Sequence, residues 1–136
     1  MGRLEDKLQS DVVRKWSELH PNKRKNLFHV ANERLNKMQA FKSISMGIVS
    51  GVSDLIFIDD NYLCGIELKV KGSRHKRRQI ELQVEWGELI ERCGFNWRMV
   101  TSVEDAISCC NGNPKGLSTY DVREILKETK TQTLKI

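Results

Sequence analysis

Three residues close together in the chain carry charges that a β-sheet does not bury cheaply: Asp54, Glu67 and Lys69. They lie in GVSDLIFIDDNYLCGIELK (51–69), which reads as two short strands joined by polar turn chemistry at DDNY. Asp54 stands at the mouth of the first strand. Glu67 and Lys69 are two residues apart on the second, so the strand period turns both toward one face. Two carboxylates and an ammonium on one sheet face are costly unless a metal or an anionic ligand offsets them. Carboxylate oxygens in such a pair suit Mg²⁺ or Mn²⁺. A metal held there would polarise a phosphoryl oxygen and supply a nucleophilic water near neutral pH. Lys69 would orient that water or neutralise charge developing on the phosphate. Those roles fit phosphodiester hydrolysis. Each residue also has a bland reading, Asp54 as a strand-start cap and Glu67-x-Lys69 as a surface pair on an edge strand. It is the surrounding order of glycine turn, apolar strand, turn, GIELK, basic loop and glutamine-bearing helix that favours chemistry.

The flanking elements have to position these groups. Leu4, Leu8, Val12, Trp16 and Leu19 form a stripe of helical period over 3–19, ended by His20-Pro21. Glu5 falls on the flank of that stripe, and from spacing alone it is more simply a solvated residue. NLFHVA (26–31) reads as a short strand, and ANERLNKMQAFKSIS as a helical or irregular segment through Leu35, Met38 and Phe41. Gly47 and Gly51 permit an unusual turn just before Asp54. A helix over 76–93 follows the basic loop, with Leu82, Trp86, Leu89, Ile90 and Cys93 as its stripe and Gly94 as its stop. Gln79 and Gln83, one turn apart, both border its buried face. FNWRMV (95–100) alternates like a strand, and Thr101 or Ser102 caps a short helix, VEDAISCC. A capping box at Ser118 with a Leu117/Val122 staple opens a last helix to about Glu128, after which TKTQTLKI is expected to fray. These elements predict one domain over the 136 residues, its core about 3–110, with an α/β (α+β) fold: a mixed central sheet with helices on its faces.

Composition bounds the partners. No stretch approaches the length of a membrane span, and the first residues lack an apolar signal core, so a cytoplasmic protein without membrane association is expected. Cys64, Cys93, Cys109 and Cys110 form no CxxC pair and read as reduced thiols, with Cys64 and Cys93 inside apolar elements. The net charge of +5 is unevenly spread: six of the ten residues from Lys69 to Arg78 are Lys or Arg, with His75 among them. Lys23, Arg24 and Lys25 make a second cluster. Two basic patches beside an acidic site point to a polyanion, most simply nucleic acid.

In combination these residues resemble the PD-(D/E)xK nuclease superfamily and, within it, the VRR-NUC family. The resemblance runs through EDKLQSDVV, FHVANE, GIVSGVSDLIF, GIELKVKG, QVEWGELIERCGF and VTSVEDAI, roughly residues 5–107. It implies a restriction-endonuclease-like core in which Asp54, Glu67 and Lys69 match the D…ExK motif. Gln83 with Trp86 matches the Q-x-x-W of the following helix, and Glu5 the first-helix glutamate. The implied catalytic set is Glu5, Asp54, Glu67, Lys69 and Gln83, with Glu5, Asp54 and Glu67 on Mg²⁺ or Mn²⁺. Lys71, Arg74, His75, Lys76, Arg77 and Arg78 become the expected DNA contacts, and His29 and Asn32 candidates to line the cleft. Small stand-alone members of the family imply a structure-selective endonuclease of a phage or bacterial cell, acting as a homodimer on branched DNA such as Holliday junctions. Two departures stand out. Ser53 occupies the position of the family's proline, and a longer basic loop lets Gln79 compete with Gln83. The alternatives are a non-catalytic DNA-binding module on the same fold, or a repair or restriction-type nuclease acting on duplex or flap DNA.

Overall fold

The computed structural model describes residues 2–30 and 45–136. The segment through Leu35, Met38 and Phe41, with Asn32, lies outside the described residues. The elements in order are α1 (Arg3–Leu19), β1 (Leu27–His29), β2 (Leu55–Asp59), β3 (Tyr62–Leu68), β4 (Arg74–Lys76), α2 (Arg77–Arg92), β5 (Asn96–Val100), α3 (Val103–Cys110), α4 (Thr119–Glu128) and β6 (Thr133–Lys135). A 3-10 turn, Pro21–Asn26, joins α1 to β1. The main sheet runs β1-β2-β3-β5, antiparallel except for the parallel β3–β5 pair. A parallel pair needs a crossover, and α2 supplies it. No helix of the described residues is long and apolar enough to cross a membrane.

Strand alternation divides the core into two layers. Leu55, Phe57, Cys64, Ile66, Leu68 and Val100 face Val12 and Trp16 of α1 and Ala106 and Cys109 of α3. Trp97 and Met99 face the opposite way, toward Ile80, Val84 and Ile90 of α2 and Val122 and Leu126 of α4. Full burial of a large apolar side chain contributes about 1.5–3 kcal/mol, so these layers outweigh local propensity in fixing the sheet. On β3 the α2-facing phase runs Leu63, Gly65, Glu67, and Lys69 continues it. A Cβ on Gly65 would lie 2.8 Å from Ser53 Oγ and 2.9 Å from the Trp86 ring, so glycine is what lets α2 approach β3.

The ends of the elements follow their expected chemistry. Gly94 (φ +90°) donates to Glu91 O, and Phe95 to Ile90 O, closing α2 with a Schellman motif. Ser102 caps α3 through the Asp105 amide, and Ser118 and Asp121 cap each other reciprocally at α4.

Four expectations are corrected. Leu4 and Leu19 are 66% and 48% exposed, because only the middle of α1 lies under the sheet. The buried face of α2 is Ile80, Gln83, Val84, Gly87 and Ile90, so the expected stripe is rotated: Leu89 is exposed and Trp86 half-buried. Gly87 misled the pattern, since it is buried for close contact: an added Cβ would meet the Trp97 ring at 2.6 Å. Cys93 is exposed at the C-cap of α2, whereas Cys64, Cys109 and Cys110 are buried; all four thiols are free. The C-terminal tail does not fray. Its β6 pairs antiparallel with β4, inside the stretch expected to be a loop, and Leu134 is buried with α2 and α4.

Candidate active site

The sheet delivers Asp54, Glu67 and Lys69 to one end of the β2–β3 pair. Asp54 precedes β2, and its Oδ2 accepts the Leu68 amide at 2.8 Å, tying the turn to the end of β3. Its carbonyl accepts the Val30 amide at 3.2 Å and His29 Nδ1 at 2.8 Å. Gly51 makes the turn before it, at φ +88°, packed so closely on α2 that an added Cβ would stand 2.3 Å from Leu82 O. The turn carrying Asp54 is therefore seated against the helix residues beside Gln83.

Glu67 and Lys69 are both 2% exposed, with Lys69 Nζ 3.8 Å from Glu67 Oε1. Gln83, buried on α2, donates from Nε2 to the same oxygen at 3.0 Å. The other carboxylate oxygen, Glu67 Oε2, is buried without a hydrogen-bond partner among the described residues, as are Gln83 Oε1 and Ser53 Oγ. Desolvation is the chief reason that the Glu67 carboxyl is pushed well above the usual glutamate range. The charge of Asp54 adds to it, Lys69 opposes it, and Glu5 adds a smaller push.

These groups open into a cleft of about 880 Å³ lined by Glu5 and Asp6 of α1, His29, Ser50 to Val52, Asp54, Glu67, Lys69, and Lys76, Arg78, Gln79, Leu82 and Gln83 around the start of α2. All five expected catalytic residues reach this one cleft. Asp6 and Ser50 line it as well and were not foreseen from the sequence. Asp6 sits in the first turn of α1, where an acidic residue is already accounted for by the helix dipole.

Whether these residues suit a divalent cation is decided at Glu67. A buried carboxylate oxygen with no donor, beside a second carboxylate, is costly as it stands and is offset by a hard cation. Asp54 and Glu67 fit that requirement. Glu5 reaches the same cleft from α1, and among the described residues no three His, Cys, Asp or Glu side chains form a closed set of ligands.

The basic residues divide. Lys71, Arg74, Lys76 and Arg78 are exposed, and Lys76 and Arg78 line the cleft. His75 and Arg77 do not stand with them. His75 turns inward to Ser73 Oγ at 2.6 Å, and burial with the charge of Lys69 holds its ring below the ordinary histidine value. Arg77 donates to the carbonyls of Leu126 and Thr129 at the end of α4. Lys23, in the second basic cluster, pairs with Asp59 at 2.8 Å.

No protein-family model matches the chain, and no curated protein matches it significantly. Among solved structures, a "VRR_NUC domain protein" superposes with a TM-score of 0.65 and 21% identity, covering 87% of this chain and 98% of the other. At that identity the likeness speaks for architecture, and it bears out the mixed sheet flanked by helices that the motifs implied. The chain has the fold of a VRR_NUC domain protein.

Proposed function

We propose that this chain is a metal-dependent DNA endonuclease of one domain, selective for branched DNA and acting as a homodimer. The observation that carries the reading is Glu67. It is a buried carboxylate with one oxygen held by Gln83 and the other unpartnered, beside Asp54 and Lys69 at the floor of an open cleft.

Asp54 and Glu67 would hold Mg²⁺ or Mn²⁺, with Glu5 nearby from α1. Such an ion, when bound, polarises a phosphoryl oxygen and activates water. The protein's own contribution is positional. Gln83 fixes the Glu67 carboxylate from α2, and the Leu68 amide fixes Asp54 from β3, so both ligands are held in place before substrate arrives. Lys69, buried beside Glu67, keeps an ammonium where negative charge develops on a phosphate at the cleft floor. The N-terminal end of α2 carries Lys76, Arg77 and Arg78 and no acidic residue in its first turn, although a helix dipole favours anions there. A phosphate backbone laid across Lys76 and Arg78 relieves that mismatch. Homodimerisation and the preference for branched DNA come from the family resemblance, since one small domain offers little surface to grip a four-way junction.

The test is cleavage of four-way junction, flap, duplex and single-stranded DNA with Mg²⁺ or Mn²⁺ and with EDTA, by wild type, Asp54→Ala and Lys69→Ala. We expect metal-dependent cutting of branched DNA that both substitutions abolish. Equal activity in the variants overturns the site. Duplex cut as readily as junction leaves the nuclease and replaces the substrate by that of a repair or restriction-type enzyme. Tight binding without cutting in any metal supports a non-catalytic module instead.

A further inference from the structure

β4 and β6 form a two-stranded ribbon apart from the main sheet, in the register Arg74↔Lys135, His75↔Leu134, Lys76↔Thr133. The alternation of the strands sorts the six residues. His75 and Leu134 face inward, Leu134 fully into the core with α2 and α4, while Arg74, Lys76, Thr133 and Lys135 are exposed. One face of the ribbon is thus a cationic plate made from two parts of the chain far apart in sequence. Arg74 and Lys135 stand directly opposite each other, and like charges in that position destabilise a strand pair. Among the described residues none of Lys71, Arg74, Lys76 and Lys135 has a carboxylate at ion-pair distance; the nearby Arg77 and Arg78 do, in Glu81 and Glu85. Arg74 instead reaches Thr133 Oγ1 at 3.4 Å, and the stem of Lys135 passes over the Gly72 turn, where an added Cβ would lie 3.9 Å from its Cε. The plate meets the cleft at Lys76, which belongs to both.

We infer that the β4–β6 ribbon is a DNA-backbone contact surface outside the catalytic cleft, with Lys135 of the C-terminal strand as a phosphate contact alongside Arg74 and Lys71. The inference rests on the nuclease reading for its ligand but not for its geometry. Same-face residues of one strand are about 6.7 Å apart, so these cations suit a row of backbone phosphates better than one small anion. They are held by a ribbon whose ladder is closed at both ends, by the Arg77 amide on Gln132 O at 2.7 Å and the Ile136 amide on Ser73 O at 3.1 Å, and which is seated on the core through Leu134. The cationic side chains are therefore presented on ordered backbone, and DNA entering the cleft past Lys76 runs along them.

The experiment is equilibrium binding of labelled four-way junction and duplex by the full chain in EDTA over a range of salt, for wild type, Lys135→Ala, Lys135→Arg and Lys15→Ala. Losing one phosphate contact makes the plot of log affinity against log salt shallower by about 0.9, close to eightfold in affinity at 0.1 M salt. We expect that change for Lys135→Ala, its reversal in Lys135→Arg, and no change for Lys15→Ala, which removes an equal charge from α1. Wild-type slope and affinity in Lys135→Ala overturn the ribbon while leaving any metal-dependent cleavage untouched. A loss that Lys135→Arg does not restore, or that Lys15→Ala reproduces, also overturns it. A slope change in a protein that cuts no DNA in any metal keeps the ribbon and removes the nuclease.

Discussion

The side-chain amide of Gln83 donates to the buried carboxylate of Glu67 at 3.0 Å, which separates it from Gln79, one turn earlier on the same helix. Both line the cleft, but Gln79 is exposed and Gln83 is 7% exposed. A hydrogen bond to a charged group contributes about 1.5–3 kcal/mol, and its loss would leave Glu67 free to move. Gln83→Ala should therefore lower the cleavage rate about ten- to a hundredfold. Gln79→Ala, at an exposed position, should stay within about twofold. Single-turnover rates on one branched substrate compare the two, and equal losses would remove the distinction.

Glu67 gives a second prediction through stability. Its carboxyl is raised by burial and by Asp54, so the folded protein binds this proton more tightly than the unfolded chain does. Linkage then has a definite sign. Without divalent cation, its contribution to stability is fully present below the ordinary glutamate range and falls as pH rises toward the folded value. Glu67→Gln, which cannot ionise, should lack that fall. Melting of both proteins in EDTA across acid to neutral pH should give curves that diverge in the variant's favour as pH rises. Parallel curves would mean that Glu67 binds its proton no more tightly in the folded cleft than in the unfolded chain.

Much of this site was legible in the sequence because strand geometry is short-ranged. The ExK spacing fixes Glu67 and Lys69 on one face wherever the strand goes, and both are found buried together. The Gly94 stop and the Ser118 box are equally local. What pattern missed depends on distant contacts. The buried face of α2 includes Gly87, silent in any apolar stripe yet required by Trp97. Thr133-Leu134-Lys135 does alternate, but three residues are too few to identify a strand without β4 beside them. Arg77 looked like its basic neighbours until the end of α4 came to lie against it.

Gly51 tests how tightly the turn before Asp54 is specified. Its φ of +88° alone costs a non-glycine residue about 1–2 kcal/mol. An added Cβ would also fall 2.3 Å from Leu82 O, a backbone atom that cannot swing aside. Gly51→Ala should therefore destabilise by more than about 2 kcal/mol. Because the displaced backbone lies between Asp54 and Gln83, cleavage should fall even where the variant remains folded. Gly47→Ala meets nothing within 4 Å and serves as the comparison, at φ +97°. Denaturant melts that do not separate the two would show that strain, not the contact with α2, sets the cost.

Arg77 and Arg78 are adjacent, equally charged and at the same helix start, yet the structure gives them different work. Arg77 is half-buried, and its guanidinium donates to the carbonyls of Leu126 and Thr129, which α4 leaves without partners at its C-terminal end. Arg78 is exposed on the cleft wall, and its one ion-pair partner among the described residues is Glu85 at 3.8 Å. Arg77→Ala should therefore cost about 1.5–3 kcal/mol of stability, the range for hydrogen bonds from a charged donor. Arg78→Ala should leave melting within about 0.5 kcal/mol and flatten the salt dependence of DNA binding by about 0.9. Thermal melts and salt titrations on both variants separate the roles. A variant of Arg77 that melts like wild type but loses salt dependence would return it to the phosphate contacts and leave the end of α4 to some other donor.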